Sequence, residues 1–326
     1  MENNILRWGI IGCGDVTEKK SGPAFNRVPG SSLVAVMRRD ADKAADYARR
    51  HNVPVWYDHA SRLIADPQVD AVYIATPPDV HASLAIAAME AGKPVYVEKP
   101  VATTVADAER MRACAETTGV KLSVAHYRRA VPMFEQIGRW ISGGEIGTIR
   151  TVRISMLQAD HPDALQDPRI RWRVMPESGG PGGHFYDLAP HQLDLMLHYF
   201  GKVRGFQGFG VNQAGSYPAR DAICGSMVFD SGVLFTGQWA FTVNEAQTED
   251  LCEIQGTGGK IVFPFFGKRV EVSRQGVKMS VSFEHPEHIQ EPMIGRVTDY
   301  FLGKGPNPCP IEEAIKSMQI MEAYVG

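Results

Sequence analysis

Residues 93–100 read Lys-Pro-Val-Tyr-Val-Glu-Lys-Pro, a short apolar run that ends abruptly in charge. Val95–Val97 consists of β-branched and aromatic residues, which favour a buried strand. Glu98 and Lys99 follow at once, and Pro100 restricts the turn after them. In open α/β sheets, ligands bind beyond the carboxyl ends of the strands. Lys99 therefore lies where chemistry is expected, provided that the preceding chain forms such a sheet.

The chain around this stretch alternates between strand and helix patterns. Apolar strand candidates occur at residues 5–11, 32–37, 55–57, 69–76, 95–97 and 120–125. Helical patterns occur between them at residues 41–51, 80–91 and 105–117. Such alternation predicts a doubly wound parallel sheet, in which right-handed crossovers bring the strand ends to one edge. The first part of the chain is therefore predicted to be an α/β domain.

The first strand candidate runs directly into Gly12-x-Gly14. This resembles the opening of G-x-G-x-x-G, whose glycines let the backbone approach a pyrophosphate at a helix N-terminus. The third motif position is Thr17 rather than glycine. Alone, the pair is equally consistent with a plain tight turn, but the βαβ context favours a dinucleotide site. Asp15 and Val16, which open the next helix, are included among its predicted contacts.

The end of the second strand candidate indicates which dinucleotide is preferred. An acidic residue here binds the adenosine ribose of NAD in many such domains. This chain has Arg38 and Arg39, followed by Asp40. A guanidinium pairs with a 2′-phosphate and stacks on adenine, so the sequence favours NADP. NAD remains the alternative, in which both arginines are solvated and Asp40 binds the ribose.

The pattern changes after residue 126. Strand candidates separated by turn signals follow one another, which predicts antiparallel pairing. They occupy residues 148–157, 203–211, 222–229, 232–239, 250–255, 260–264, 269–273 and 277–283. One helix is predicted among them at 183–199, and a last helix at 311–325. The predicted domains are therefore residues 1–125 and an α+β domain of residues 126–326, whose C-terminal helix can pack back on the first domain.

The helix at 183–199 carries Asp187, His191 and Asp194 at spacings of four and three residues. Both spacings place side chains on one face of a helix. A carboxylate beside an imidazole can orient the imidazole as a base. An isolated Asp-x-x-x-His is more often a surface ion pair. The glycine run at 179–183, which allows close backbone approach at the helix start, favours the catalytic interpretation.

Composition excludes several classes of protein. The net charge is −3, without the basic excess typical of nucleic-acid binding. The five cysteines are scattered and lack metal-ligand spacing, which predicts reduced thiols, a cytoplasmic location and no metal site. No apolar run is long enough to span a membrane. A small-molecule substrate is therefore expected.

Several motifs in order resemble one known family. They are Gly-Ile-Ile-Gly-Cys-Gly at 9–14, Thr-Pro-Pro at 76–78, Glu-Lys-Pro at 98–100, Gly-Glu-Ile-Gly at 144–147 and Asp-x-x-x-His-x-x-Asp at 187–194. Together they are similar to the signatures of the Gfo/Idh/MocA family, the glucose–fructose oxidoreductases, inositol dehydrogenases and their relatives. The resemblance implies a Rossmann domain followed by an α+β domain with an open, mostly antiparallel sheet, which often forms the contact of a homo-oligomer, a dimer or tetramer.

The resemblance also implies the chemistry. Lys99, Asp187 and His191 would form the working set for hydride transfer between NADP, or NAD, and a secondary hydroxyl of a sugar, polyol or cyclitol. His191 would accept the hydroxyl proton, Lys99 would polarise the same hydroxyl, and Asp187 would orient the site. The Lys99–Pro100 bond is expected to be cis.

Further site residues and two other functions are predicted from positions in the chain and from the same resemblance. Predicted cofactor contacts beyond the glycine loop and Arg38 and Arg39 are Thr76, Pro77, His81, Glu98 and Lys99. Predicted substrate contacts are Tyr127, Arg128, Trp172 and Arg173. The alternatives are glycoside cleavage by transient oxidation with a retained cofactor, and a non-catalytic sensor that binds cofactor or sugar. Intact Lys99, Asp187 and His191 argue against the sensor.

Overall fold

The computed structural model describes residues 5–326, which form two compact units. Of the described residues, the first unit contains those from residue 5 to Val131 together with Pro286–Ile315. The second consists of Pro132–His285 together with Lys316–Gly326. Residues 286–315 thus group with the N-terminal part of the chain, whereas the predicted division placed them in the second domain.

Six parallel strands form the sheet of the first unit within the described residues. They are β1 Leu6–Ile11, β2 Ser31–Met37, β3 Val55–Tyr57, β4 Ala71–Ile74, β5 Val95–Val97 and β6 Leu122–Val124. Their order is β3-β2-β1-β4-β5-β6, and neighbouring strands pair in parallel register. The predicted doubly wound sheet is confirmed. The order reverses between β1 and β4, and this is the point at which such sheets bind ligands.

Helices connect these strands. They are α1 Asp15–Lys19, α2 Ala41–Arg50, α3 Ala60–Ala65, α4 His81–Glu90 and α5 Val105–Thr118. A 3₁₀ turn at Gly22–Asn26 follows α1. The Thr104 side chain caps the start of α5, and Gly119 ends it with a φ of 68°. Both are residue types that favour those positions.

A further helix of the first unit, Glu291–Phe301, comes from the returning segment. The strand and helix prediction missed it. The ring of Phe301 lies 5.4 Å from that of Trp8, so this helix packs on β1. Pro292 in its first turn is a common helix-start residue, and its apolar residues recur at helical spacing. These signals could have identified it.

The second unit contains a sheet of eight strands within the described residues. They are β7 Ile149–Ala159, β8 Val203–Val211, β9 Ala222–Phe229, β10 Leu234–Val243, β11 Glu249–Gly256, β12 Gly259–Phe263, β13 Arg269–Arg274 and β14 Val277–Ser282. Their order is β14-β13-β12-β11-β7-β10-β9-β8. β7 and β10 pair in parallel, and the other neighbours are antiparallel. The mostly antiparallel sheet is confirmed.

Helices of the second unit pack against this sheet. Those that precede or interrupt the strands are α6 Pro132–Ser142, α7 Pro168–Val174, α8 Pro176–Gly179 and α9 His184–Phe200. The helix of residues 291–301, which belongs to the first unit, is α10. The last helix of the chain is α11 Ile311–Val325. The ring of Trp239 on β10 contacts Phe185 of α9 at 4.9 Å and Tyr324 of α11 at 6.2 Å. The prediction did not include α7 or α8.

None of the helices within residues 5–326 combines the length and the apolar character needed to cross a membrane.

Candidate active site

The loop after β1 requires glycine at Gly12. Its φ is +94°, and a Cβ there would lie 2.8 Å from the methyl carbon of Thr76 and 2.9 Å from the carbonyl of Ala75. Gly14 differs, because the nearest atom to a Cβ built on it is the Gly12 carbonyl oxygen, 4.0 Å away. Contacts within the protein therefore exclude a side chain at Gly12, whereas a side chain at Gly14 would meet no such contact among the described residues. The open space beside Gly14 fits close approach of a dinucleotide pyrophosphate.

Thr17, at the third motif position, is fully buried. Its hydroxyl donates to the Gly14 carbonyl at 2.8 Å, and the Tyr47 hydroxyl donates to the Thr17 carbonyl at 3.0 Å. Threonine thus fills this position with an internal hydrogen bond and still allows tight packing of α1. Of the predicted contacts on α1, Asp15 is exposed and Val16 is half-buried.

The two arginines after β2 have different surroundings. Arg38 Nη1 donates to the Cys13 carbonyl at 3.2 Å, so this guanidinium lies against the glycine loop. Arg39 is exposed. The Asp40 side chain caps α2 by accepting from the Lys43 backbone at 3.2 Å, and it pairs with the Lys43 ammonium at 2.6 Å. The Asp40 carboxylate, which binds the ribose in the NAD alternative, thus has its contacts at the start of α2.

His81 holds two loops of the first unit together. It is fully buried, and its Nε2 and Nδ1 lie 2.8 Å and 3.0 Å from the carbonyl oxygens of Thr76 and Pro100. Burial lowers the pKa of His81, whereas the hydrogen bonds to the two carbonyl oxygens raise it. Both ring nitrogens are occupied by backbone groups. His81 thus supports the loops after β4 and β5, including that of Pro77, and its contact with the cofactor stays a prediction.

The carboxylate of Glu98 is enclosed by donors. Glu98 is 5% exposed, and it accepts hydrogen bonds from the Tyr73 hydroxyl at 2.6 Å, the Gln290 amide at 2.7 Å and the Lys99 backbone N–H at 3.1 Å. These contacts engage the carboxylate inside the protein, and a contact of Glu98 with the cofactor stays a prediction. Lys99 itself is half-buried, and the Lys99–Pro100 bond is cis.

Two predicted substrate contacts lie in the buried 3₁₀ turn after β6. Tyr127 and Arg128 are each 3% exposed, and the Arg128 guanidinium is 5.6 Å from the centre of the Tyr127 ring. The adjacent Arg129 pairs with Glu313 at 2.5 Å. Arg129 therefore joins this turn to the returning segment of the first unit.

In the second unit, the glycine run packs tightly against the start of α9. A Cβ on Gly182 would lie 2.5 Å from the Tyr186 ring, and one on Gly183 would lie 2.9 Å from Ala219. Gly183 also has a φ of +55° directly before the helix. The run therefore fixes where α9 begins, and it thereby sets the position of Asp187 on the first turn.

Asp187 is paired with one of the predicted substrate residues. Its Oδ2 accepts from Arg173 Nε at 2.9 Å, and the Arg173 guanidinium lies 4.5 Å from the Trp172 ring centre. One turn later, His191 is 4% exposed, with its ring 6.2 Å from that of Phe266. The structure therefore groups Trp172, Arg173 and Asp187. Within residues 5–326, no three His, Cys, Asp or Glu side chains converge as metal ligands would.

His184 is a residue of this region that the sequence analysis missed. It is 8% exposed, and its ring lies 5.8 Å from His161, 5.7 Å from Tyr217 and 5.4 Å from Phe241. Its position three residues before Asp187 places it near that side chain on α9. The spacing of three residues from Asp187 could have identified His184 from the sequence. Burial lowers the pKa of His184 to about 4.

We expect His184 to make the protein less stable in acid. Its folded pKa of about 4 lies below the ordinary 6.5, so the unfolded state binds the proton more tightly. The contribution of His184 to stability is complete above pH 6.5 and declines as the pH falls towards 4. Urea unfolding at pH 7 and pH 4.5 should show that His184→Phe reduces the acid loss by on the order of 2 kcal/mol. His198→Gln, an exposed change on the same helix, should leave the loss as in the wild type, and an equal acid loss in His184→Phe would contradict the assignment.

The parallel sheet with its glycine loop, followed by a mostly antiparallel sheet, defines a class of dinucleotide-dependent oxidoreductases. Residues 6–126 match the oxidoreductase family with an NAD-binding Rossmann fold, and residues 134–262 match the GFO/IDH/MocA C-terminal domain. The chain therefore belongs to the Gfo/Idh/MocA family of NAD(P)-binding oxidoreductases, as its motifs indicate.

Three similar proteins illustrate the range of this family. An oxidoreductase of Formosa agariphila is 40% identical over 326 residues, covering 100% of both chains. The 1,5-anhydro-D-fructose reductase of Ensifer adhaerens is 31% identical over 263 residues, 78% of this chain and 75% of the relative. The solved structure of a levoglucosan dehydrogenase with NADH and levoglucosan has a TM-score of 0.84 at 21% identity, covering 98% of this chain and 96% of the other. At that identity the likeness shows the fold alone.

Proposed function

We propose that the protein uses NADP to interconvert a secondary hydroxyl and a ketone of a sugar, polyol or cyclitol. The names of two similar proteins support this substrate class, since one is an anhydrofructose reductase and another a levoglucosan dehydrogenase. The observation that carries the proposal is the position of Lys99. It lies beyond the carboxyl end of β5, with its backbone held by a buried carboxylate, in the same unit as the glycine loop.

The residues of the chain then have separate tasks. Gly12, Gly14 and Arg38 would hold the cofactor, which accepts or supplies hydride when bound. Lys99 would donate a hydrogen bond to the reacting oxygen. His191 would take the hydroxyl proton during oxidation and return it during reduction. Asp187, already paired with Arg173, would fix the polar surroundings of the substrate.

The function can be tested with a small panel of substrates. The panel comprises 1,5-anhydro-D-fructose with NADPH, and levoglucosan and inositol with NADP⁺. Absorbance at about 340 nm follows reduced nicotinamide directly. We expect turnover of at least one member. Binding of cofactor without turnover of any carbohydrate alcohol or ketone would contradict the proposal.

We expect Arg38→Asp to reverse the cofactor preference. Arg38 lies against the glycine loop, where its guanidinium can pair with a 2′-phosphate, and aspartate there would repel the phosphate. Loss of one charge-assisted hydrogen bond should weaken NADPH binding by roughly 10- to 100-fold. The measurement is the Kd of NADPH and of NADH by fluorescence titration. Arg110→Asp is the control, because Arg110 is exposed on α5 and is not among the predicted cofactor contacts. Equal wild-type affinity for both cofactors would contradict the NADP assignment.

We also propose that copies of the chain associate through the uncovered face of the second sheet. Phe209, Val211 and Leu234 are exposed there by 75%, 49% and 55%, and exposed apolar side chains of this size favour association. Phe209→Lys should therefore lower the mass measured by light scattering. A wild-type mass equal to one chain would contradict this proposal.

A cytoplasmic location is proposed on the basis of the thiols. Five cysteines are present, and none of them forms a disulfide within the described residues. Reduced thiols are typical of that compartment.

A further inference from the structure

The carboxylate of Glu98 connects Lys99 to two distant parts of the first unit. Its Oε2 accepts the Lys99 backbone N–H at 3.1 Å, while its Oε1 accepts from Tyr73 at 2.6 Å and from Gln290 at 2.7 Å. A buried carboxylate is costly unless donors satisfy it. The three contacts meet that requirement, and they leave the carboxylate little freedom to move. The backbone of Lys99 is thus tied to a fixed point in the protein interior.

Tyr73 supplies one of these donors from the neighbouring strand β4. It is fully buried and stacks on Tyr96 with ring centres 5.2 Å apart. Burial and the nearby Glu98 raise the pKa of Tyr73 well above its ordinary value, so it remains a donor. Tyr96 is equally buried, yet its hydroxyl has no hydrogen-bond partner in the part of the chain that the structure describes. The two tyrosines share an environment and differ in their contact with Glu98.

Gln290 supplies the other donor from the returning segment. It is fully buried, and its backbone N–H donates to the Lys20 carbonyl at 3.1 Å. His288 Nδ1 lies 2.8 Å from the Lys19 carbonyl. These carbonyls lie at the end of α1, the helix that follows the glycine loop. The segment therefore contacts both the end of that helix and the carboxylate that holds Lys99.

We propose that Tyr73 and Gln290 are positioning residues that act through Glu98 to hold Lys99 in place for the reaction. The proposal rests on the proposed function, in which Lys99 donates to the reacting oxygen. It assigns Glu98 the task of an internal anchor. Residues 286–315 then also contribute to catalysis, because this returning segment supplies Gln290.

The two tyrosines provide a matched pair of variants, Tyr73→Phe and Tyr96→Phe. Each removes one buried hydroxyl, but only the first removes a donor to Glu98 among the described residues. Small displacements of a catalytic group are costly, so Tyr73→Phe should lower kcat by roughly 10- to 100-fold with little change in KM. Tyr96→Phe should keep kcat within about twofold. The substrate is the most active member of the panel defined above.

Gln290→Met is a second variant of similar volume, and it should also lower kcat. Hydrogen exchange of the peptide that contains Lys99 gives a readout without turnover. We expect faster exchange in Tyr73→Phe and Gln290→Met than in Tyr96→Phe, because the Lys99 N–H loses a fixed acceptor. Equal exchange and equal kcat in all three variants would overturn the inference.

A double-mutant cycle distinguishes positioning from a general structural effect. In a Lys99→Met background, Tyr73→Phe should change kcat by less than about threefold, because residues acting as a unit are not additive. A full additional loss in that background would show that Tyr73 does not act through Lys99. If Lys99→Met is severe but Tyr73→Phe equals Tyr96→Phe, the inference alone is wrong. If Lys99→Met has no effect, the proposed function and this inference are overturned together.

Discussion

Replacing Lys99 by methionine should lower kcat by roughly 10³-fold, within the range that general acid–base groups contribute. Methionine keeps most of the side-chain volume but cannot donate a hydrogen bond to the reacting oxygen. The cofactor contacts proposed for the glycine loop and Arg38 do not depend on the ammonium group. Because Lys99 is only one of the predicted cofactor contacts, the Kd of NADPH should rise by less than about tenfold. Steady-state rates and fluorescence titration measure the two effects separately.

Lys93→Met is the matched control, because Lys93 and Lys99 lie just beyond opposite ends of β5. The Lys93 ammonium donates to the backbone carbonyls of Asp66, at 2.8 Å, and Val69. Its loss should lower the free energy of unfolding by about 1–3 kcal/mol and leave kcat nearly unchanged. Comparing the two Lys→Met variants therefore separates an effect on stability from an effect on catalysis. Comparable kcat values in both variants would contradict the role of Lys99.

Replacing His191 by asparagine should lower kcat for oxidation by roughly 10²- to 10⁴-fold, because the variant has no general base. Asparagine keeps a polar group but cannot accept a proton near neutral pH. Oxidation then depends on hydroxide, so the residual rate should rise tenfold per pH unit over a range where the wild type is flat. The measurement is a pH profile of kcat in both proteins.

His198→Asn is the control for this profile, since His198 lies on the same helix and is exposed. It should keep the wild-type rate and the wild-type profile. A loss of less than tenfold in His191→Asn, with an unchanged profile, would contradict the role of His191 as a base.

Local sequence patterns predicted the elements that depend on local physics. The run of β-branched and aromatic residues before Glu98 forms β5, and the spacing of Gly12 and Gly14 places the turn after β1. Turn signals such as Asp-Ser-Gly separate β9 from β10, so antiparallel pairing could be predicted from neighbouring segments. The period of apolar residues along a segment and the residue types in its turns are enough to predict such elements.

Contacts between distant segments could not be predicted in this way. Glu98 meets Gln290, 192 residues later in the chain, and no periodicity in either segment indicates the partner. The same holds for the return of residues 286–315 to the first unit. For His81, the pattern of residues indicates a position at the start of α4 but not the two carbonyls that lie against its ring. The roles of Glu98 and His81 depend on contacts with other segments of the chain.

The central claim is net hydride transfer between NADP and a carbohydrate alcohol, and the most direct test is stoichiometry. Purified protein is mixed with NADP⁺ and the best alcohol of the panel, and product is counted against absorbance at about 340 nm. One NADPH should form for each substrate molecule oxidised, and Lys99→Met and His191→Asn should form it at least about 10²-fold more slowly. Product released without a net change in reduced cofactor would indicate glycoside cleavage with a retained cofactor and would contradict the account.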